Sequence, residues 1–407
     1  MVWFLAFFTL GFNFTFWVIV GLLRLIYEKL WSRKRNLEKK LEPLPINFSE
    51  VAAIVPAHNE EESIRKTISA LLEVLPPKNI YVVSDFSTDK TIEIIRSMGV
   101  RSLDLRPNKG KAKALVYIMN EYGLLKAYKA ILINDADCII DPNYLHLALQ
   151  YFRDENVAAV SPHGQTRWGR TKLSELFLIS YRAKLWKIMQ WGLRFGQTWK
   201  FANASYIIPG AFSIYRTRVL EHLEIDAPGL VIEDFNMTFE VQKKKLGKII
   251  YAPEIKATHQ DPYRLDDYIK QLRRWNVGYW QTIFRHGIWP SFLWLTMGAF
   301  LIELIFYSVF FLTIPLIFTL LILNSPDPVA VPVIGRTFRL IDIFIGVFLI
   351  DYLMTVVVAI SERKPIMLIL GLGFVFLRFI DSIIFFISIP EALFKKSDGT
   401  WTSPKRG

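Results

Sequence analysis

The segment AILINDAD, Ala130–Asp137, decides the fold of this chain. An apolar run of strand length, AILIN, leads straight into two aspartates, Asp135 and Asp137, one residue apart. A strand buried on both faces of a parallel sheet reads as a continuous apolar run, so carboxylates at its carboxyl end sit on the sheet's rim. Open α/β sheets bind their ligands at that rim. Neither aspartate has Lys or Arg next to it in the sequence. The pair therefore repels itself unless a cation joins it. Oxygen-only ligands suit Mg2+ or Mn2+, which keep most of their waters and lean on substrate phosphates. The alternative is a loop pair that only caps the helix after Pro142.

Outward from this segment the same pattern recurs at VAAIV (51–55), IYVVS (80–84) and VAAV (157–160), with helical patterns over 60–75, 89–98 and 109–126. Such alternation argues for one α/β domain over residues 51–260, a mostly parallel sheet with helices on both faces. Asn59 is placed to cap the helix opened by Glu60 to Glu62. No GxGxxG follows any strand, which disfavours a dinucleotide oxidoreductase.

The chain has 407 residues, 52% of them hydrophobic, too apolar for an ordinary soluble enzyme. The apolarity gathers at the two ends. Residues 2–26 have the ~20 residues a spanning helix needs, and the basic cluster Arg33, Lys34, Arg35, Lys39 and Lys40 follows. A signal peptide carries its charge in front, so residues 1–30 read as a transmembrane anchor and 31–50 as a basic cytoplasmic linker. A net charge of +12 suits anionic headgroups. Nucleic acid is the other partner of a basic chain, but no nucleic-acid motif is present, so none is expected. The single Cys138 excludes an intramolecular disulfide and a cysteine zinc cage, and is expected to pack beside the Asp pair. Residues 171–200, rich in Trp, Lys and Arg, read as an amphipathic segment on the membrane face, along a sugar channel, or half-buried at the surface. Residues 290–390 carry apolar runs at 290–323, 340–360 and 365–390. Arg378 and Asp381 interrupt the last and share a helix face, so they can pair. Two full spans and one in-plane helix keep the basic tail, 391–407, on the cytoplasmic side. The chain is thus expected to be a multi-pass cell membrane protein with its α/β domain in the cytoplasm.

Five further clusters carry chemistry. YVVSDFSTDKT puts Asp85 and Asp89 after the second strand, where a carboxylate can accept from a base or ribose hydroxyl, or serve as a helix cap. PNKGKAKAL places Lys109, Lys111 and Lys113 at a helix start, suited to phosphate or else ordinary surface lysines. PGAFSIYR (209–216) supplies a small-residue turn for close backbone approach to a sugar. VIEDFNMTFEVQ sets Glu233 and Asp234 before an amphipathic helix; one can cap it and Asp234 is the candidate base. Within 261–289, expected to be interfacial, QLRRWNVGYW places Gln271, Arg274 and Trp275 at i, i+3 and i+4 on one helix face. An amide, a guanidinium and an indole there match a diphosphate and a sugar ring.

In this order the motifs resemble those of membrane-integrated family-2 glycosyltransferases of GT-A fold, within them the hyaluronan, chitin, poly-N-acetylglucosamine and cellulose synthases. The match runs from Val51 to Trp275. The resemblance implies that Asp135 and Asp137 bind metal and nucleotide, that Asp85 binds the nucleoside, and that Asp234 of the ED pair is the catalytic base. It also assigns Gln271, Arg274 and Trp275 to the QxxRW helix at the membrane surface. Ser84-Asp85 stands where the family more often has two aspartates. The tail from Trp401 is similar to a segment that lies over the nucleotide in the hyaluronan-synthase branch, without its glycine. The implied reaction is inverting transfer from a nucleoside diphosphate sugar, a UDP-sugar, with Mg2+ or Mn2+. The acceptor is a growing polysaccharide or, alternatively, a single lipid, as in ceramide glucosyltransferase-like or polyprenol-phosphate enzymes.

Overall fold

A computed structural model describes residues 11–31, 43–169, 172–323, 330–333 and 336–394. After helix α1 (Phe12–Trp31) come β1 (Val51–Ala57), α2 (Ile64–Leu72), β2 (Ile80–Asp85), α3 (Thr91–Ser97), β3 (Arg101–Leu105), α4 (Lys111–Glu121), β4 (Ala130–Asn134), the short β5 (Ile139–Ile140), α5 (Tyr144–Gln150) and β6 (Val157–Thr166). The chain continues through α6 (Leu173–Lys187), β7 (Phe212–Arg216), α7 (Glu233–Lys243), β8 (Lys248–His259) and α8 (Leu265–His286). It ends in the apolar helices α9 (Phe292–Leu312), α10 (Leu340–Glu362) and α11 (Phe374–Phe394).

Eight strands form one sheet in the order β3-β2-β1-β4-β7-β6-β8-β5. The contacts β3-β2, β2-β1 and β1-β4 are parallel, while β7 runs antiparallel to both β4 and β6. Every residue of β1, β2 and β4 is buried, as continuous Val/Ile/Leu runs require of strands covered on both faces. The two-residue repeat divides each strand between two cores. Val51, Ala53, Val55, Ala130 and Leu132 pack with Ile64, Ile68, Ile95 and Leu145 of α2, α3 and α5. Ala52, Ile54, Ile131 and Ile133 pack with Leu115 and Ile118 of α4 and Met237 and Val241 of α7. The register Ile54↔Ile133 and Ala57↔Ser84 brings the ends of β1, β2 and β4 to one rim. Asp85 and Asp135 emerge there together. Asn59 does not cap α2, which starts only at Ile64; its Oδ1 accepts from the Thr88 amide at 2.8 Å.

Among the described residues three helical stretches are long and apolar enough to cross a membrane: Phe292–Leu320, Ile341–Glu362 and Ile366–Phe394. Helix α1 is not among them, because Arg24, Glu28 and Lys29 lie within it. Residues 1–10, the basic cluster from Arg33 to Lys40 and the tail with Trp401 lie outside the described residues.

Helix α6 is buried along its middle, Leu178 to Lys184, and exposed or half-buried at either end. The buried charges each meet a carboxylate, Arg182 with Asp261 and Lys184 with Asp351, and the half-buried Lys187 meets Glu362. The expected pairing of Arg378 with Asp381 does not form. The Arg378 guanidinium lies 3.1 Å from Asp351, and Asp381 accepts from the hydroxyls of Tyr181, at 2.5 Å, and Tyr268. A neighbouring helix presents the better-placed carboxylate, and two tyrosines satisfy the one left over.

Candidate active site

At the end of β2, Asp85 is fully buried and accepts from two backbone N–H groups, Lys109 at 2.8 Å and Gly110 at 2.7 Å. It thereby fastens the turn that opens α4, in which Gly110 takes φ +86°. Asp89 is a structural residue: it accepts from the Thr91 amide at 3.0 Å and the Glu61 amide at 3.1 Å, tying the first turn of α3 to the β1–α2 loop.

The fastened turn delivers Lys111. Its Nζ lies 2.7 Å from Asp135 Oδ1 and 2.8 Å from Glu233 Oε1. The Asp pair therefore does have a cation beside it, brought from another element of the fold, which sequence adjacency could not show. Burial works against the Lys111 charge, but Asp135 and Glu233 overcome it and hold the ammonium above its ordinary range. Burial, reinforced by Asp137 and Glu233 and opposed by Lys111, raises the Asp135 carboxyl. At Glu233 burial loses to Lys111, with Arg274 adding to it, and the carboxyl is lowered. Asp135 keeps 31% of its side chain exposed, open to a ligand. Asp137 is buried and takes the thiol of Cys138 at 3.4 Å, so the cysteine does pack beside the pair.

Asp234, half-buried in the first turn of α7, accepts from the amides of Phe235 at 2.7 Å and Gly210 at 3.3 Å. Burial and then the neighbouring Glu233 charge push its carboxyl up to about 7. The small-residue turn explains the crowding. A Cβ at Gly210 would lie 3.2 Å from Glu233 Oε1 and 3.3 Å from Lys111 Nζ, so the backbone here closes directly on the charged cluster.

Lys111 thus meets two carboxylates, Asp135 and Glu233, with the Asp137 charge acting on the first and the second acting on Asp234. That excess of negative charge, with oxygen-only donors, fits a divalent cation at Asp135 and Asp137. Among the described residues no group of three or more His, Cys, Asp or Glu side chains could cage an ion. An ion held here would complete its shell with water or a ligand's phosphate oxygens.

Helix α8 lies beside this rim. Gln271 and Trp275 share a partner that sequence reading missed, Arg182 of α6. Its guanidinium donates to Gln271 Oε1 at 3.0 Å and sits 4.5 Å from the Trp275 ring centroid and 5.1 Å from that of Trp186. Its Nε donates to Asp261 at 3.2 Å, and the Trp186 indole donates to the same carboxylate at 2.9 Å. Burial would raise Asp261, but His259 at 3.4 Å and Arg182 hold it well below the usual carboxylate range. A lone arginine inside the apolar stretch LISYRAKLW was the available signal. Arg274 is exposed and reaches the site only as a field on Glu233.

A mostly parallel sheet with acidic side chains gathered at its carboxyl rim, joined to helices long and apolar enough to cross a membrane, has the GT-A architecture. Residues 49–278 match the family described as glycosyltransferase like family 2, and the chain belongs to it. It is 24% identical over 411 residues to the poly-beta-1,6-N-acetyl-D-glucosamine synthase of Staphylococcus epidermidis, covering 96% of this chain and 95% of that one. It is 28% identical over 249 residues to the hyaluronan synthase of Streptococcus pyogenes, covering 57% of each. Among solved structures it is similar to a mannosyltransferase of Pyrobaculum calidifontis in complex with GDP-Man and Mn2+. The TM-score is 0.51 and the identity 16%, over 97% of this chain and 99% of that one. That likeness extends the shared fold beyond the catalytic sheet.

Proposed function

We propose that this chain moves a sugar, with inversion, from a nucleoside diphosphate sugar, a UDP-sugar, onto a growing polysaccharide at the cytoplasmic face of a membrane. The observation that carries this reading is the meeting of Lys111, Asp135, Glu233 and Asp234 at one rim, beside the helix of Gln271, Arg274 and Trp275. The similarity to a polysaccharide synthase along nearly the whole chain supports the polymeric acceptor.

In this mechanism the Asp234 carboxylate takes the proton of an acceptor hydroxyl. The freed oxygen attacks the anomeric carbon from the face opposite the diphosphate. The bond to the diphosphate breaks, and its electron pair leaves with the phosphate oxygen. A positioned base contributes typically ~10²–10⁴-fold, so charge neutralisation of the leaving group must supply more. Lys111 and Arg274 are the cationic side chains for that role. Mg2+ or Mn2+ held by Asp135 and Asp137 would add Lewis-acid neutralisation of the diphosphate. Trp275 offers an indole face to a sugar ring, and Asp85 holds the turn that would meet the nucleoside.

A second reading, transfer of one sugar to a lipid, is favoured by the small number of apolar helices, three among the described residues. Incubation of the purified chain with radiolabelled nucleotide sugars and sizing of the product separates the two. A ladder or polymer is expected; a single glycolipid would replace the first reading with the second, and no transfer from any nucleotide sugar would remove both.

A further inference from the structure

Lys111 stands where three independent constraints converge. Asp85 fixes its main chain by accepting from both Lys109 and Gly110. Asp135 from the end of β4 and Glu233 from the start of α7 hold its ammonium from two sides, at 2.7 and 2.8 Å. Gly210 closes the third side, since any Cβ there would stand 3.3 Å from Nζ. The ammonium is therefore a counter-ion built into the site, and one of its two partners is a carboxylate assigned above to the metal.

We propose that Lys111 is an exchangeable counter-ion that couples metal binding to donor binding: in the donor-free chain it holds Asp135 and Glu233, and on donor binding it leaves Asp135 for the diphosphate. The inference rests on the reading of Asp135 and Asp137 as the metal end of the donor site. Its logic is electrostatic. A divalent ion arriving alone meets an ammonium already paired with one of its two ligands. Arriving with a diphosphate, it brings a new anion to which that ammonium can turn while keeping Glu233. Each ligand then tightens the other by the same factor, as linkage demands.

The test is Mn2+ binding to the full chain in detergent, followed by loss of the free-ion electron paramagnetic resonance signal, with and without UDP or GDP. Complexes that the nucleotide forms with Mn2+ in solution are subtracted. Wild type is expected to bind Mn2+ weakly alone and about tenfold or more tightly with nucleotide. Lys111→Met is expected to bind Mn2+ alone at least about tenfold more tightly than wild type, with the nucleotide's enhancement reduced by a similar factor. Lys111→Gln, which keeps a donor between the two carboxylates, is the second variant should the first fail to fold, with the same direction expected. Equal or weaker Mn2+ affinity in the folded variant overturns the inference while leaving the metal site standing. Absence of Mn2+ binding in every protein, with either nucleotide, removes the metal reading itself and this inference with it.

Discussion

Asp234 shows how a single residue is tuned by its neighbours. Burial and Glu233 push its carboxyl from an ordinary 3.8 up to about 7, a value suited to a base working near neutral pH. With Asp234 as base, kcat/KM should climb as pH rises through about 7, because only the deprotonated form accepts the acceptor's proton. Asp234→Asn should keep nucleotide binding and lose transfer by ~10²-fold or more. Near wild-type turnover in that variant would sink the assignment. The same shift has a stability consequence of defined sign. A raised carboxyl favours the protonated fold, so its contribution is complete below the ordinary value of 3.8 and is lost as pH rises through about 7. At the metal end, Asp137→Ala should abolish the metal dependence of nucleotide affinity. A metal titration indistinguishable from wild type would count against the role.

At the scale of elements, α6 and α8 are joined by Arg182. It is 4% exposed, donates to Asp261 and Gln271, and lies against the rings of Trp186 and Trp275. Arg182→Lys keeps the charge and loses the planar fork, so it should not restore the geometry of Gln271 and Trp275. The expected outcome is a raised acceptor KM with donor KM little changed. A purely structural role predicts instead that both KM values rise together as thermal stability falls. Most of these elements could be read in advance. AILIN is strand β4 residue for residue, and the Gln271–Trp275 motif lies on a helix as its spacing required. Helix α6 could not be read the same way, because its burial is set by the sheet and apolar helices that close over it.

At the scale of the whole molecule, an ion pair of a fully buried lysine fastens the apolar helices to α6. Lys184 of α6 lies 2.5 Å from Asp351 of α10, which also meets Arg378 of α11 at 3.1 Å. Removing one partner of a buried pair leaves a charge uncompensated, at a cost of about 3–5 kcal/mol. Asp351→Leu should accordingly lower the thermal unfolding temperature of the solubilised chain, with Lys184→Met/Asp351→Leu recovering part of the loss. An unchanged transition in the single variant would show that this pair does not hold the two parts together.

The sequence by itself determined strands β1, β2, β4 and β6, the two-faced burial of the first three, the C-terminal apolar helices and the acidic residues at the ends of β2 and β4. Each of these follows from local periodicity, which a one-dimensional pattern records. Only the tertiary structure decided which charge meets which: Lys111 with Asp135 and Glu233, Arg182 with Asp261 and Gln271, Arg378 with Asp351 rather than Asp381. The reason is that an ion pair depends on where elements far apart in the chain come to rest. AILINDAD thus announces a rim with two carboxylates, and folding supplies the lysine that stands beside them.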